Sequence, residues 1–235
     1  MGIVNRSSLA ATVDAVNEAV FYGRKLAKAD RAQAAAWIAS RQGRPGSYAG
    51  MFAPTAKDRN EGIRLFTGER FATRAGVAHV LGEEACRTLI QLNVRARAVR
   101  DVIERASVGI LERMKEAEQR ERNAGRPFLG EYCCGKCSVA LWRHLAVGGL
   151  PDAKPERWLT AGMKALRAAR DGTGRWGRYP FFYTLLALSE IDTPGARREM
   201  KYAAPTVERT LKRTQPPDRY AERRGVLAER ILAKC

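Results

Sequence analysis

The densest chemistry in the chain lies in residues 130–145, Gly-Glu-Tyr-Cys-Cys-Gly-Lys-Cys-Ser-Val-Ala-Leu-Trp-Arg-His-Leu. Three of the five cysteines, Cys133, Cys134 and Cys137, fall within this stretch. Cys134-x-x-Cys137 has the spacing of a metal-ligand pair, and His144 lies two turns after Cys137 on nearly the same helical face. An earlier helix carries a second set: His79 and Glu83 stand at i, i+4, and Cys86 follows Glu83 by about one turn. The first set defines a candidate zinc site of Cys133, Cys134, Cys137 and His144. The second supplies a candidate acid–base pair, His79 and Glu83, that would complete it if the two helices pack together. Two other readings of the cysteines stay open. They can be small core side chains, or one can be a reactive thiolate stabilised by a helix N-terminus and Lys136. Glu83 and Glu84 can equally pair with arginines such as Arg87.

These residues need helices to hold them, and the pattern supplies about ten. Ser7 and Ser8 are N-cap candidates for a helix through Val13, Val16 and Val20. Asp30 precedes a second helix, Arg31 to Gln42, which Gly43 stops. Thr55 and Asp58 open a short helix ending by Phe66, and Thr67-Gly68-Glu69-Arg70 reads as a turn. Residues 71–92 and 95–122 form two long helices, the second with an apolar stripe from Val99 to Ala117 and mixed charge opposite. Beyond the cysteine-bearing helix come Gly148-Gly149 and Pro151, then helices over 156–170 and 180–191. Thr193 caps and Pro194 opens another helix, Pro205 is expected to start a further one, and Pro216-Pro217 precedes the last, Asp218 to Lys234. Sustained period-two alternation is missing, so the fold class is all-α, with short links that favour antiparallel neighbours.

Three segments, about residues 31–92, 99–148 and 156–192, repeat one plan: a helix, a Gly/aromatic turn, then a helix rich in small residues and Leu. Gly permits the sharp reversal, the aromatic plugs the hairpin end, and small residues let the second helix pack inside a curved layer. Asp171-Gly172-Thr173-Gly174-Arg175-Trp176-Gly177, followed by Phe182-Tyr183-Thr184-Leu185-Leu186-Ala187-Leu188, resembles the repeat of the α/α-toroid superfamily, which includes squalene and terpene cyclases and protein prenyltransferase β-subunits. Gly125-Arg126, Glu131-Tyr132-Cys133 and Cys137…Trp142 are similar to the zinc-site helix of the prenyltransferases. The resemblance covers patches of residues 30–192. It implies a single domain of helical-hairpin repeats over residues 1–235, forming a partial toroid or curved solenoid, with basic helices at 194–234. It also implies a concave face for an apolar or isoprenoid-like ligand, with Trp142, Trp176 and Tyr183 as candidate lining residues; as aromatics at repeat positions, these read equally as core or hairpin plugs. The family's Asp-x-Asp-Asp and Asp-Asp-x-x-Asp motifs have no counterpart here, nor does the His that precedes the Tyr-Thr-like helix, where this chain reads Tyr179-Pro180-Phe181-Phe182.

A net charge of +17 favours anionic partners, nucleic acid among them, and the run from Arg197 to Lys234 is the best local candidate for a phosphate-binding surface. A solvated basic face and a protein-interaction repeat are the alternatives. No apolar run approaches the roughly 18–20 residues of a membrane span, and the N-terminus lacks a signal-peptide pattern. A cytoplasmic protein is expected, with clustered cysteines rather than a disulfide framework.

Overall fold

The computed structural model describes residues 2–150, 154–212 and 218–235. Among these residues the chain folds into ten helices and one two-stranded hairpin. The helices are α1 (Leu9–Phe21), α2 (Lys28–Ala39), α3 (Ala56–Glu61), α4 (Arg74–Leu92), α5 (Arg97–Asn123), α6 (Gly135–Ala146), α7 (Glu156–Ala168), α8 (Phe181–Glu190), α9 (Pro194–Leu211) and α10 (Arg219–Leu232). Strands β1 (Ile63–Arg64) and β2 (Arg70–Phe71) pair antiparallel, Ile63 opposite Phe71. No helix among the described residues is long and apolar enough to cross a membrane.

Local chemistry sets most of the boundaries. The Ser8 hydroxyl accepts from the Ala11 N–H at the start of α1, and the Thr193 hydroxyl accepts from Ala196 at the start of α9. Thr55 and Asp58 form a reciprocal capping box on α3, and Asp58 also accepts from Ser8 and the Leu9 N–H, which ties α3 to α1. Asp218 caps α10 through the N–H groups of Tyr220 and Ala221.

Three local expectations change. Asp30 sits in the first turn of α2, which begins at Lys28 behind Ala27; its charge still meets the positive end of the helix. Pro205 lies inside α9 and does not open a helix. Its φ suits a helix, and the buried Met200, Ala203, Thr206 and Val207 on either side hold α9 continuous across the one missing N–H. The hairpin escapes the sequence pattern because two-residue strands show no periodicity; its turn runs from Leu65 to Glu69, and Arg70, expected in the turn, opens β2. Pro151 and Pro216-Pro217 lie outside the described residues.

The helices fall into two sets. Helices α4 and α6 pack together, α4 also meets α1, and α8 lies against α6 and α10. Side chains of α10 return to α1: Arg223 donates to Asp14 and Glu18, and Arg219 to Asp14. The other set packs behind: α2 and α5 against α4, α7 against α6, and α9 against α8 and α10. The turns that join the two sets repeat faithfully. Gly46-Ser47-Tyr48, Gly130-Glu131-Tyr132 and Gly174-Arg175-Trp176 each place the glycine in the left-handed region, at φ 87°, 69° and 86°, two residues before the aromatic. A β-branched or bulky residue is strained in that conformation, which accounts for the Gly-x-aromatic recurrence.

Candidate functional site

Helices α4 and α6 bring the sequence-nominated residues together, but in different company from the expected one. His79 on α4 faces the cysteines. Its Nδ1 lies 3.7 Å from the Cys137 Sγ, and donor atoms of His79, Cys133 and Cys137 all lie within 4.8 Å of one another. The Cys134 and Cys137 sulfurs are 3.5 Å apart and share a hydrogen bond. Cys133 and Cys134 are exposed, Cys137 is buried, and His79 is half-buried.

The backbone fixes this cluster from several sides. Cys134 is the N-cap of α6, so Cys137 follows one turn into the helix. Gly135 packs so closely on the Arg178 carbonyl that a Cβ would collide with it. Glu131 is held by Arg178 and Tyr179. The Tyr48 ring lies on the His79 ring, centroids 3.6 Å apart, so aromatics from the first and second repeats clamp the imidazole. The hydrogen bond from Cys137, with backbone N–H groups of Cys137 and Lys136, lowers the Cys134 thiol to about 5 against the cost of burial. The same bond, with burial, pushes Cys137 up. Burial lowers His79, opposed by Cys134.

His144 and Glu83 lie elsewhere. The His144 Nδ1 is 2.7 Å from the Glu83 Oε2, and both side chains are wholly buried. The structure thus separates His144 from the cysteines and Glu83 from His79. Spacing placed His79 and Glu83 on one face of α4; their height along α6 assigns them different partners. Burial opposes a charged His144, but Cys86 and Glu83 outweigh it and raise the imidazole to about 10.

The adjacent residues build a buried charge network that the sequence announced only through Glu84 and Arg87. Arg143 donates to Glu84 and twice to Glu190, at 2.9 and 3.0 Å. Arg87 donates to Glu190 and to Asn17, each at 2.8 Å, and its guanidinium is 3.9 Å from Glu84. Tyr183 also donates to Glu84. Burial raises the Glu84 carboxyl, yet Arg143 and Arg87 outweigh it and hold it below its ordinary value. The missed signal was an Arg on α6 and a Glu ending α8 at core-facing positions of otherwise apolar stripes.

This network floors a cavity of about 530 Å³. The final turns of α1, α4, α6, α8 and α10 all line it, so these helices point their C-termini the same way. Val20, Phe21, Phe66 and Leu186 give it apolar walls, while Arg87, Arg143, Arg230 and Lys234 face a single carboxylate, Glu190. Arg230 and Lys234 are exposed, and each donates to a carbonyl of another helix, Phe21 and Ser189 respectively. Cations there complement the negative ends of the helix dipoles. The β1–β2 hairpin lies nearer the opposite ends: Leu65 and Phe66 reach in beside Glu84 and Tyr183, and Glu69 accepts from the Tyr183 N–H in the first turn of α8.

Trp142, Trp176 and Tyr183 sit in the core and take no part in lining this cavity. The Trp142 indole donates to the Gly130 carbonyl at 3.1 Å, and that of Trp176 to Glu199 at 3.0 Å. Both plug the turns of their repeats. Much of the basic C-terminal run binds its own chain: Arg197 pairs with Asp192, Arg219 and Arg223 with α1, and Arg224 donates to the Thr67 carbonyl.

Comparison with protein-family models, with curated proteins and with solved structures finds no match.

Proposed function

We propose that this chain is a helical-repeat, toroid-like protein that holds an amphipathic anion, an apolar chain with a charged head of the isoprenoid diphosphate kind, at the C-terminal ends of its inner helices. The observation that carries the reading is the cavity of about 530 Å³ in which four cations face one carboxylate between apolar walls. That lining suits a ligand with an apolar body and an anionic end. Arg87 and Arg143 are committed to Glu84 and Glu190, so Arg230 and Lys234 are the cations free to turn toward a head group. The succession α1–α4–α6–α8–α10, tied back to α1 by Arg223, supports the toroid-like part, as do the three Gly-x-aromatic turns.

Calorimetric titration with farnesyl diphosphate, farnesol and inorganic diphosphate tests the reading. Farnesyl diphosphate should bind saturably at one site, each fragment should bind at least about tenfold more weakly, and Arg230→Ala with Lys234→Ala should cost about 1–3 kcal/mol of the amphiphile's affinity, the worth of hydrogen bonds to charged groups. Equal binding of diphosphate alone, unchanged by the double variant, would sink it and leave a generally basic surface.

A further inference from the structure

We propose that His79, Cys133, Cys134 and Cys137 form a site for a thiophilic divalent cation of the zinc class. The site lies about 10–15 Å along α6 from the cavity of the previous section, Cys137 preceding Arg143 and Ala146, and stands independently of it. The mutually close donors are the His79 imidazole and the Cys133 and Cys137 thiols, and Cys134, 3.5 Å from Cys137, stands beside them as the fourth; with no carboxylate among them the set disfavours the oxygen-seeking cations calcium and magnesium and suits zinc.

Two of the donor–donor distances are those of tetrahedral coordination. With zinc–sulfur bonds of about 2.3 Å and zinc–nitrogen bonds of about 2.0 Å, donors lie about 3.5–3.8 Å apart. Cys134 and Cys137 stand at 3.5 Å, and Cys137 and the His79 Nδ1 at 3.7 Å. Cys133 falls within 4.8 Å of both His79 and Cys137, and it and the N-cap Cys134 precede α6, where a local adjustment of the loop closes the set. His79 and Cys137 come from regular elements, α4 and the first turn of α6, which hold them in place without a metal.

The surroundings suit the charge. Three thiolates and a neutral imidazole around a divalent cation leave one negative charge. It lies at the positive end of α6 beside Lys136, whose ammonium is otherwise spent only on the Arg70 carbonyl at 3.2 Å and the face of Phe71. Packed core thiols would be hidden, whereas Cys133 and Cys134 open to solvent and give an ion a route in. The mixed origin of the ligands has a structural consequence. His79 belongs to the first repeat and the cysteines to the second, so a bound ion staples α4 to α6 across a repeat boundary.

Full-length protein, reduced and stripped with a chelator, would be titrated with cobalt(II) and then zinc(II). One equivalent of cobalt should give the intense visible bands of a tetrahedral site with a thiolate charge-transfer band, and one equivalent of zinc should bleach them. Zinc should protect three thiols from a chromogenic thiol reagent and leave the exposed Cys235 reactive. Cys133→Ser and His79→Ala should each weaken binding at least tenfold, while Cys235→Ser should leave it unchanged. Cys133 is exposed and makes no core contact, so its variant reports on the ion even if a substitution at Cys137 fails to fold. Absence of the bands at one equivalent, bands that survive both ligand variants, or oxidation to a Cys134–Cys137 disulfide with no metal uptake after reduction would each overturn the assignment.

Discussion

Helices α4 and α6 carry two polar clusters of opposite character. At the start of α6, His79 meets Cys133 and Cys137, with Cys134 beside Cys137, in a partly exposed group whose donors have few other partners. Toward its end, Glu84 and Arg143, with Glu83 and His144 beside them, are sealed from solvent, and Glu84 is bound to Arg143, Arg87, Tyr183 and Asn17. The residue types alone would nominate both as active sites. Their partners distinguish them. A buried charge whose neighbours satisfy it, as Glu84 is satisfied, is part of the framework, whereas an open cluster of mutually close donors has capacity left for a ligand; Glu83 and His144 stand between the two, paired to each other but each with one buried atom, Oε1 and Nε2, without a partner among the described residues.

The difference is broken most severely at Arg143. Arg143→Ala leaves Glu84 and Glu190 facing each other with only Arg87 between them, and breaking a buried pair in this way costs about 3–5 kcal/mol. Chemical denaturation should show that loss at neutral pH, with the gap to the parent protein narrowing in acid as Glu84 takes up a proton. The depressed Glu84 carboxyl contributes stability above its unfolded value that disappears as pH falls through the folded one. A loss below about 1 kcal/mol would place this network on the same footing as surface ion pairs.

Much of the framework was legible because it rests on local rules. Ser8, Thr55 and Thr193 cap where hydroxyl chemistry says they should, and the glycines of the three Gly-x-aromatic turns take the left-handed conformation that their spacing suggested. The site was half legible. Spacing put His79, Glu83, the cysteines and His144 on facing helices, but the axial offset of α4 against α6 decides who meets whom. No one-dimensional pattern contains that offset, so His79 reaches the cysteines while Glu83 and His144 leave them and pair with each other. The Glu190 contribution was hidden for a similar reason, since it enters from α8, more than a hundred positions from Arg87. Trp142 and Trp176 illustrate the opposite limit: aromatics at repeat positions suit a cavity or a plug equally, and only burial with the indole N–H partnered separates the two.

A smaller effect sharpens the comparison through pH. His144 is held above its ordinary value of 6.5, at about 10, with Glu83 and Cys86 of α4 facing it and Tyr132 near Glu83. A group raised on folding stabilises fully below its unfolded pKa, and that contribution is lost as pH climbs through the folded one. Stability should therefore decline between about pH 6.5 and 10. Glu83→Gln keeps a hydrogen-bond acceptor but removes the charge. It should cost about 1.5–3 kcal/mol at neutral pH and flatten the decline. Parallel pH profiles for the two proteins would show that the pair is neutral in the fold.

The smallest effect is the most discriminating, because it asks the open cluster to behave unlike the sealed one. Cys133 is exposed on the loop before α6, so Cys133→Ser in metal-free protein should shift stability by no more than about 0.5 kcal/mol. With zinc present the two proteins should part. An ion that binds only the folded chain stabilises it by about 2.7 kcal/mol at a hundredfold excess over its dissociation constant, and a variant with a weakened site forfeits most of that gain. Thermal denaturation of both proteins, with and without zinc, therefore has an interaction as its readout. Near-identical melting without metal and a zinc-dependent gap would mark the cluster as a site grafted onto the helices. Equal destabilisation in both conditions would mean that Cys133 belongs to the framework after all, and the contrast between the two ends of α6 would collapse.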